Sequence, residues 1–340
     1  QSMMNRENES DIAVTTRVRI ARNIKRLAYP KKQTADGAQK IIEDVWAALN
    51  RSELGKELTL YETKNMSERL KQSLIERHLI SAELAASPVP SAAAISRDRT
   101  VSVMINEEDH LRIQVFVPGL DPGAAYDKAR KLEAIINESL PFDCDGEFGY
   151  LTACPTNIGT GLRASVMLHL PAISVSHSVN ELLSWAANLG MTVRGLYGEG
   201  SKASGAFFQL SNRITLGVSE EEIISRFSAA VCGLISEERR ISAALFEQNG
   251  IELRDKCMRS LGILKYACTL SSSEAADLIS YVCLGANSGI IKNIHTAALR
   301  NAFFDTLPAT LALSEGELSE EELGMKRAQF LQNILSAKEE

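Results

Sequence analysis

The stretch Cys154-Pro155-Thr156-Asn157-Ile158-Gly159-Thr160-Gly161-Leu162-Arg163-Ala164-Ser165-Val166-Met167 organises this chain. Its first half predicts a turn, because Pro155 fixes φ and lacks a backbone donor and because Gly159 and Gly161 tolerate positive φ at low steric cost. An apolar run over residues 164–170 follows, and strand alternation would place four side chains on one face, Arg163, Ser165, Met167 and His169. The stretch therefore predicts a thiol and a guanidinium on either side of a glycine turn that enters a strand. Taken alone, Arg163 is also well explained as an exposed arginine at a strand end.

The size and composition of the chain are those of a globular protein with room for two domains. Its 340 residues are 45% hydrophobic and 24% charged, which are ordinary values. The net charge of −6 gives no reason to expect a nucleic-acid partner, and no run of transmembrane length and no signal peptide suggests a membrane partner. The six cysteines lack metal-site spacings, which predicts a reduced, cytoplasmic protein without a metal site of its own. Residues 1–3, Gln1-Ser2-Met3, are interpreted as a tag remnant.

Two further strand patterns carry charged side chains. Arg17 and Arg19 alternate with apolar residues, so a strand would place both arginines on one face, although a solvated edge strand fits equally well. Residues 100–117 predict a β-hairpin whose connection is Asn106-Glu107-Glu108-Asp109-His110. Acidic turns are commonly only solvated, but three carboxylates this close repel each other, and a cationic partner would relieve that cost.

The remaining patterns divide the chain into a mixed part and a helical part. Helical spacing covers residues 36–49, 66–84, 122–139 and 179–188, and strands are predicted at 191–197 and 207–217. The Gly/Ser-rich residues 198–205 predict either a mobile lid or a plain surface connection. A long helix opens at Ser219, and only helical stretches follow, at 251–268, 272–284, 289–304 and 319–337. The predicted fold class is α+β, with a sheet-containing domain over residues 4–244 and a helical domain over 245–340.

The arginines suggest how the chain could bind phosphate. No P-loop or G-x-G-x-x-G motif is present, so neither familiar nucleotide site is predicted. Planar guanidinium groups pair with phosphate oxygens and keep their charge, and five of them lie on predicted strands or strand ends, Arg17, Arg19, Arg112, Arg163 and Arg194. His78 lies in a predicted helix, where a lone histidine is more often structural than a ligand contact.

Four pieces of the sequence occur in the order and spacing of one known family. They are Thr16-Arg17-Val18-Arg19, Asn106-Glu107-Glu108-Asp109-His110-Leu111-Arg112, Cys154-Pro155-Thr156-Asn157 with Arg163-Ala164-Ser165-Val166-Met167, and Arg194-Gly195-Leu196-Tyr197-Gly198-Glu199. The chain thereby resembles the guanidino phosphotransferase (phosphagen kinase) superfamily, and most closely its bacterial protein-arginine kinases. The resemblance implies a curved antiparallel β-sheet flanked by helices, with ATP lying across the sheet.

The resemblance also implies roles for individual residues. The implied ATP contacts are Thr16, Arg17, Val18, Arg19, Ile20, His78, Arg112, Arg163, Ala164, Ser165, Val166, Met167, Arg194, Gly195, Leu196, Tyr197, Gly198 and Glu199, with the arginines clamping the phosphates. Glu108 and Glu199 match the two carboxylates that grip the guanidinium of the substrate. Glu107 matches an acid near the Mg²⁺ water shell, and Cys154 matches a thiol beside the guanidinium.

The implied chemistry agrees with the properties of these groups. An arginine side chain is protonated at neutral pH and is then a poor nucleophile, so Glu108 is predicted to take its proton as the N–P bond forms while Glu199 orients it. Cys154 is either a thiolate that complements the substrate cation or a buried small hydrophobe. The implied cofactors are ATP and Mg²⁺, and the implied reaction is the phosphorylation of arginine side chains in proteins.

The order of the two parts distinguishes members of the superfamily. Kinases for small guanidines carry a helical domain before the sheet, whereas here Arg17 lies near the start and the helices follow, as in the protein-arginine kinases. There the helical domain supports dimerisation and senses phosphoarginine through an Arg-Asp-x-x-Arg-Ala motif. The corresponding Leu323-Gly324-Met325-Lys326-Arg327-Ala328 keeps only its last two residues, which puts sensing in doubt.

The resemblance also implies partners, and it leaves alternatives open. The implied partners are protein substrates, an activator protein and protease or chaperone machinery, in a homodimer that serves the stress response and protein quality control. One alternative is a kinase for free arginine or another small guanidine. A second is a regulatory protein that binds arginine-bearing or phosphoarginine partners with little or no turnover.

Overall fold

The computed structural model describes residues 11–195, 204–316 and 318–336. They form a mixed architecture of one large sheet and many helices. Its strands are β1 (Ala13–Arg22), β2 (Leu58–Glu62), β3 (Ala92–Ser96), β4 (Val101–Ile105), β5 (Leu111–Pro118), β6 (Cys144–Asp145), β7 (Gly149–Tyr150), β8 (Leu162–His169), β9 (Met191–Gly195) and β10 (Phe207–Asn212). Eight of them form one sheet in the order β2-β3-β4-β5-β1-β8-β10-β9, with antiparallel neighbours, while β6 and β7 pair separately.

Helices account for most of the rest of the described chain. They are α1 (Ala35–Asn50), α2 (Glu53–Lys56), α3 (Glu68–Glu76), α4 (Ala82–Ala85), α5 (Pro122–Asn137), α6 (Pro171–Val175), α7 (Val179–Asn188), α8 (Glu220–Gln248), α9 (Gly250–Tyr266), α10 (Ser272–Asn287), α11 (Thr296–Asp305), α12 (Pro308–Glu315) and α13 (Glu320–Ser336). Short 3₁₀ turns lie at Pro30–Lys32, Thr63–Asn65, Pro155–Asn157 and Ser204–Ala206. The predicted α+β class, an antiparallel sheet with helices followed by a helical part, is confirmed.

Strand alternation gives the sheet two different faces. Val18, Ile20 and Ala164 point to one face, where they are almost fully buried against α1, α5 and α8 in the main hydrophobic core. Arg17 and Arg19 point to the other face, as the sequence predicted. The apolar residues therefore fix the orientation of the polar ones, because successive side chains of a strand alternate between faces.

Among the described residues, the second face is covered at its two ends. At one end, Met104 and Ala93 of the sheet pack against Leu74, Leu79 and other residues of the α3–α4 segment. At the other end, Met167 and Phe207 pack into the core of the C-terminal helices, where the Phe207 and Phe303 rings stack with centroids 5.3 Å apart. The arginine-bearing strands lie between these two covers.

The predicted helix over residues 66–84 is wrong as a single element. The structure has α3 and α4 there, separated by residues 77–81, with His78 in the left-handed region at φ 58°. Ser81 begins the second helix, since its hydroxyl accepts a hydrogen bond from the backbone N–H of Leu84 at 3.0 Å. A serine that caps a new helix competes with continuation of the previous one.

Other element boundaries in the structure also differ from the predicted ones. The stretch predicted as helical over 289–304 begins only at Thr296, after His295 caps it, and α12 was not predicted. The strand predicted over 207–217 ends at Asn212. Helix α8 continues past residue 244, the predicted domain boundary, and that boundary stays a prediction.

Candidate active site

Four arginines meet where β5, β1 and β8 run side by side. Arg19 lies directly opposite Arg163 in the β1–β8 register, and Ala21, on the same face of β1, lies opposite Arg112 of β5. Arg17 is two residues before Arg19, opposite Ser165, and its Nε donates to the Ser165 hydroxyl at 3.4 Å. Guanidinium groups from separate segments of the sequence thus form one cationic cluster on the sheet.

The cluster is electrostatically costly in the free protein. Burial, followed by repulsion from Arg112 and Arg163, lowers the pKa of Arg17 to about 10. Burial is also the largest cause that lowers the pKa of Arg19 and of Arg163, followed by repulsion from Arg17 for Arg19 and from Arg194 for Arg163. Within the described residues neither Arg17, Arg19 nor Arg163 pairs with a carboxylate, and Arg19 Nε and Arg163 Nε are buried without a hydrogen-bond partner. A polyanion bound on this face would relieve both the repulsion and the unmet donors.

The two glutamates of the acidic connection differ in their partners. Both Glu107 oxygens bind Arg112, at 2.7 Å to Nη1 and 2.6 Å to Nη2, and Ser81 donates its hydroxyl to Glu107 as well. Glu108 lies 3.7 Å from Arg112, and its side chain is 35% exposed. Burial, and then Asp109 and Glu107, raise the pKa of Glu108 above its ordinary value despite the nearby Arg112. Glu108 is therefore the carboxylate available to a ligand.

Asp109 joins the acidic connection to the segment that carries the thiol. It is almost fully buried, and its Oδ1 accepts from Asn23 Nδ2 at 2.6 Å and from the backbone N–H of Ala153 at 2.7 Å. Ala153 immediately precedes Cys154, so Asp109 fixes where the thiol lies. Sequence reasoning gave Asp109 no role; its place inside the acidic motif was the signal that could have found it.

These groups line one pocket on the sheet. Its lining is Arg19, Ala21, Glu108, Arg112, Cys154, Thr156, Asn157, Gly161 and Arg163, around a volume of about 130 Å³. Cys154 Sγ lies 3.0 Å from the Thr156 hydroxyl. Gly161 has φ 61°, and a Cβ there would lie 2.6 Å from Arg22 Nη1, so the predicted need for glycine in this turn is confirmed. The predicted meeting of a thiol, a carboxylate and guanidinium groups is present.

The other predicted nucleotide contacts fall into two groups. The first group belongs to the arginine face or its border and consists of Ser165, Met167, His78 and Arg194. Arg194 of β9 lies opposite Gln209 of β10. Burial, and then repulsion from Arg17 and Arg19, lowers the pKa of His78 to about 4. Five others, Thr16, Val18, Ile20, Ala164 and Val166, are buried on the opposite face. A ligand on the arginine face could reach those five only through their main chain, because alternation turns their side chains away.

Part of the predicted site lies outside the described residues. Gly195 ends β9, whereas Leu196, Tyr197, Gly198 and Glu199 fall in the gap over 196–203. Glu199 as the second carboxylate stays a prediction. In the described part of the chain no group of three or more His, Cys, Asp or Glu side chains is arranged to hold a metal ion, and none of the described helices has the length and apolar character to cross a membrane.

The comparisons with known proteins agree with this geometry. Residues 40–241 match the family model of the ATP:guanido phosphotransferase C-terminal catalytic domain, and residues 250–340 match that of the C-terminal domain of the protein-arginine kinase McsB. A protein-arginine kinase of Clostridium acetobutylicum is 42% identical over 329 residues, which cover 96% of this chain and 97% of that protein. The chain belongs to the protein-arginine kinase family. A second member, from Clostridium kluyveri, is 42% identical over 330 residues, covering 96% of this chain and 95% of that protein.

A solved structure shows that the chain shares the fold of the guanidino kinases. The crystal structure of lombricine kinase matches with a TM-score of 0.62 and 26% identity, over 69% of this chain and 68% of that one. The resemblance to guanidino kinases stated from the sequence is thereby confirmed.

The altered motif, residues 323–328, lies in α13 and makes buried contacts within the helical part. Arg327 of α13 is 3% exposed and donates from Nε to the Thr306 carbonyl at 3.0 Å and from Nη1 to the Leu270 carbonyl at 2.7 Å. A Cβ at Gly324 would lie 2.2 Å from Thr269 Oγ1. Arg327 therefore links α13 to two neighbouring segments, which gives it a structural use apart from any phosphoarginine.

Proposed function

We propose that this protein transfers the γ-phosphoryl group of Mg-ATP to a guanidino nitrogen of arginine side chains in proteins, giving phosphoarginine and ADP. One observation carries the proposal: a single pocket brings together Glu108, the Cys154 thiol, and Arg19 and Arg163, which pair with no carboxylate among the described residues. One half of such a pocket suits phosphate oxygens and the other suits a cation, which are the two reactants of this transfer.

The arginine face would hold the nucleotide. Arg17, Arg19 and Arg163 offer forked donors to the phosphate oxygens, and the unmet Nε donors of Arg19 and Arg163 point to an anionic ligand. Charge on the transferring phosphoryl group is met by these groups, so catalysis here is positioning plus electrostatic stabilisation. Mg²⁺ would arrive as part of the Mg-ATP substrate, with Glu107 proposed near its water shell.

Glu108 would act as the base. Arginine stays protonated at neutral pH, and removal of that proton as the N–P bond forms requires an acceptor within hydrogen-bond reach. Glu107 is occupied by Arg112, which leaves Glu108 for this task, and its raised pKa makes it a better proton acceptor than an exposed glutamate. Cys154 would complement the cation from the other side, and Glu199 is proposed as the second carboxylate.

Transfer to arginine can be measured directly. The protein would be incubated with Mg-ATP and either a loosely folded arginine-rich protein or free L-arginine, and products followed by ³¹P NMR at neutral to mildly basic pH. We expect a phosphoramidate signal on the protein substrate, its loss in Glu108→Gln, and its retention in Glu147→Gln, which alters an exposed glutamate far along the chain.

The alternatives give different results in the same experiment. A signal on free arginine alone would indicate a kinase for a small guanidine. ATP binding without transfer to either substrate would indicate the regulatory alternative or the need for an activator protein.

The cellular setting is also proposed. No disulfide joins any of the six cysteines, all of which lie among the described residues, and this fits the reducing cytoplasm. A homodimer and contacts with protease or chaperone machinery are proposed from family membership, and the mass of the protein in solution would test the dimer.

A further inference from the structure

A second, larger groove lies beside the pocket that is lined by Glu108 and Cys154. It is lined on one side by Pro30 and Lys31 and on the other by Glu83 with the loop residues Ala86, Ser87, Pro88 and Val89. Its volume is about 570 Å³, against about 130 Å³ for the pocket that holds Cys154. Glu108 and Arg112 line both, so the groove continues directly from the carboxylate that faces the substrate.

Both walls of the groove are fixed to the acidic connection. On one side, His110 Nε2 donates to the Ala28 carbonyl at 2.9 Å, while His110 Nδ1 accepts from the Ile24 N–H at 3.0 Å. This holds the turn that carries Lys31. On the other side, Ser81 caps α4 and donates its hydroxyl to Glu107, which holds the helix that carries Glu83. The groove is thus formed before any ligand binds, and pre-formed sites lose less entropy on binding.

The charges at the rim are free to meet a ligand. Lys31 and Glu83 are both exposed, and among the described residues neither forms an ion pair with another side chain. Glu107 and Arg112 neutralise each other. A segment lying in the groove would therefore meet Lys31 on one wall and Glu83 on the other, in addition to Glu108, whose pKa Lys31 helps to lower.

We propose that this groove binds the residues next to the target arginine in an extended segment of the substrate polypeptide, and that Lys31 and Glu83 determine which neighbouring charges are accepted. The inference rests on the proposed function, which places the target guanidinium at Glu108. A free amino acid would leave most of the groove empty, whereas a polypeptide continues past the guanidinium and fills it. Lys31 favours acidic neighbours of the arginine, and Glu83 favours basic ones.

Peptide binding tests the groove independently of catalysis. Two fluorescein-labelled peptides, each with one arginine flanked by either aspartates or lysines, would be titrated with the full chain in the presence of Mg-ADP and nitrate, and the dissociation constants obtained from anisotropy. The variants are Lys31→Glu and Glu83→Lys. The matched control is Lys32→Glu, the adjacent lysine, which is also exposed and does not line the groove.

The ratio of the two dissociation constants is the decisive quantity. We expect Lys31→Glu to shift it against the aspartate peptide and Glu83→Lys to shift it against the lysine peptide, each by roughly three- to tenfold, with Lys32→Glu unchanged. Unchanged ratios in both variants, or peptides that do not bind the wild type, would overturn the inference.

Phosphoryl transfer to the same peptides separates this inference from the proposed function. Charge-dependent binding without transfer would leave the groove assignment standing and remove the kinase proposal. Transfer without any effect of Lys31→Glu or Glu83→Lys on the preference would do the opposite.

Discussion

Glu107 and Glu108 are adjacent in the chain and chemically identical, yet their surroundings prepare them for different tasks. Two bonds to Arg112 and one from Ser81 satisfy Glu107, so its carboxylate orients other groups. Glu108 keeps partial exposure and a raised pKa. The difference arises from the turn at Asn106, which has φ 59° and is held by bonds from its amide to the Ala38 and Pro90 carbonyls.

Asp109 is predicted to position Cys154 without touching a substrate. Asp109→Ala would leave the Ala153 N–H and the Asn23 amide without their acceptor, at a cost of about 1–3 kcal/mol in the free energy of unfolding. Asp109→Asn, which retains an oxygen, should recover part of that loss. Urea unfolding would measure the stability, and transfer to arginine in the folded fraction would measure positioning; equal activity in Asp109→Ala and wild type would contradict this role.

Glu238 is predicted to make stability depend on pH. Its buried carboxylate accepts from the N–H groups of Ala172 and Ile173, at 2.7 and 2.9 Å, and burial, the largest cause, raises its pKa to about 7. The folded protein therefore holds this proton over a pH range in which the unfolded chain has released it. Between about pH 4.5 and 7 the free energy of unfolding should then fall as pH rises, by at most about 3 kcal/mol.

The comparison for this prediction is Glu238→Gln. Thermal or urea unfolding at pH 5 and pH 8 should show the wild type losing stability relative to the glutamine variant. Parallel pH profiles of the two proteins would mean that Glu238 does not titrate differently on folding.

At the scale of elements, the sequence predicted strands and long helices well where periodicity was strong. β1, the β4–β5 hairpin, α1, α5 and α8 lie close to their predicted positions, since apolar alternation reflects burial directly. The break between α3 and α4 was missed because both segments have helical spacing, whereas the left-handed His78 and the cap by Ser81 that separate them leave no periodic signal. α12 was missed because Glu76, which stabilises its start, lies more than 230 residues away in sequence.

The sequence predicted which residues form the candidate site better than it predicted which of their side chains contact each other. The alternation that buries Val18 and Ile20 also gave the facing of Arg17 and Arg19. The pairing of Glu107 with Arg112 and the link from Asp109 to Ala153 depend on how a tight turn folds back. Such side-chain geometry leaves no periodic signal in a sequence.

Glu76 is predicted to stabilise the contact between α3 and α12. Its carboxylate accepts from the N–H groups of Ala309 and Thr310, at 2.9 and 2.8 Å, and from the Thr310 hydroxyl at 3.0 Å. Glu76→Ala would leave the first turn of α12 without these acceptors, and we expect the free energy of unfolding to fall by about 1–3 kcal/mol.

Glu68→Ala, at the exposed start of the same helix, is the matched control for this prediction. Among the described residues Glu68 pairs with Lys71, and its own side chain is 80% exposed, so Glu68→Ala should cost no more than about 0.5 kcal/mol. Denaturant unfolding would compare the two variants, and equal losses would show that the bonds to α12 contribute little.

At the scale of the whole molecule, the cationic face lowers the stability of the free protein and provides a binding site for an anion. Buried guanidinium groups that repel each other lower the stability of the ligand-free protein, and a polyanion should restore it. Tripolyphosphate at about 100 times its dissociation constant would then raise the free energy of unfolding by about 2.7 kcal/mol, which thermal unfolding with and without the ion would measure.

Arg19→Met gives the complementary prediction. Removing one buried charge from the cluster should stabilise the ligand-free protein by about 1 kcal/mol while weakening the stabilisation by tripolyphosphate. Lower stability of the ligand-free variant would show that Arg19 is already compensated in the folded protein.

The C-terminal helices link the two borders of that face. Phe303 stacks on Phe207 of β10, and two residues later Asp305 pairs with Arg77 at 3.0 Å, next to His78. The same short segment thus contacts both ends of the open face. Changes in the helical part therefore have a direct structural route to the arginines.

The register of β1 against β8, in which Arg19 lies opposite Arg163, has a consequence for refolding. A slip of one residue would turn Arg17 and Arg19 into the helix-covered core and expose Val18 and Ile20, since neighbouring side chains alternate. A slipped sheet would still give the circular dichroism of β-structure, but it would have no cationic face. Recovered phosphoryl transfer after denaturation would thus count only the molecules whose strands have paired correctly, and it would detect misfolded protein that spectroscopy counts as native.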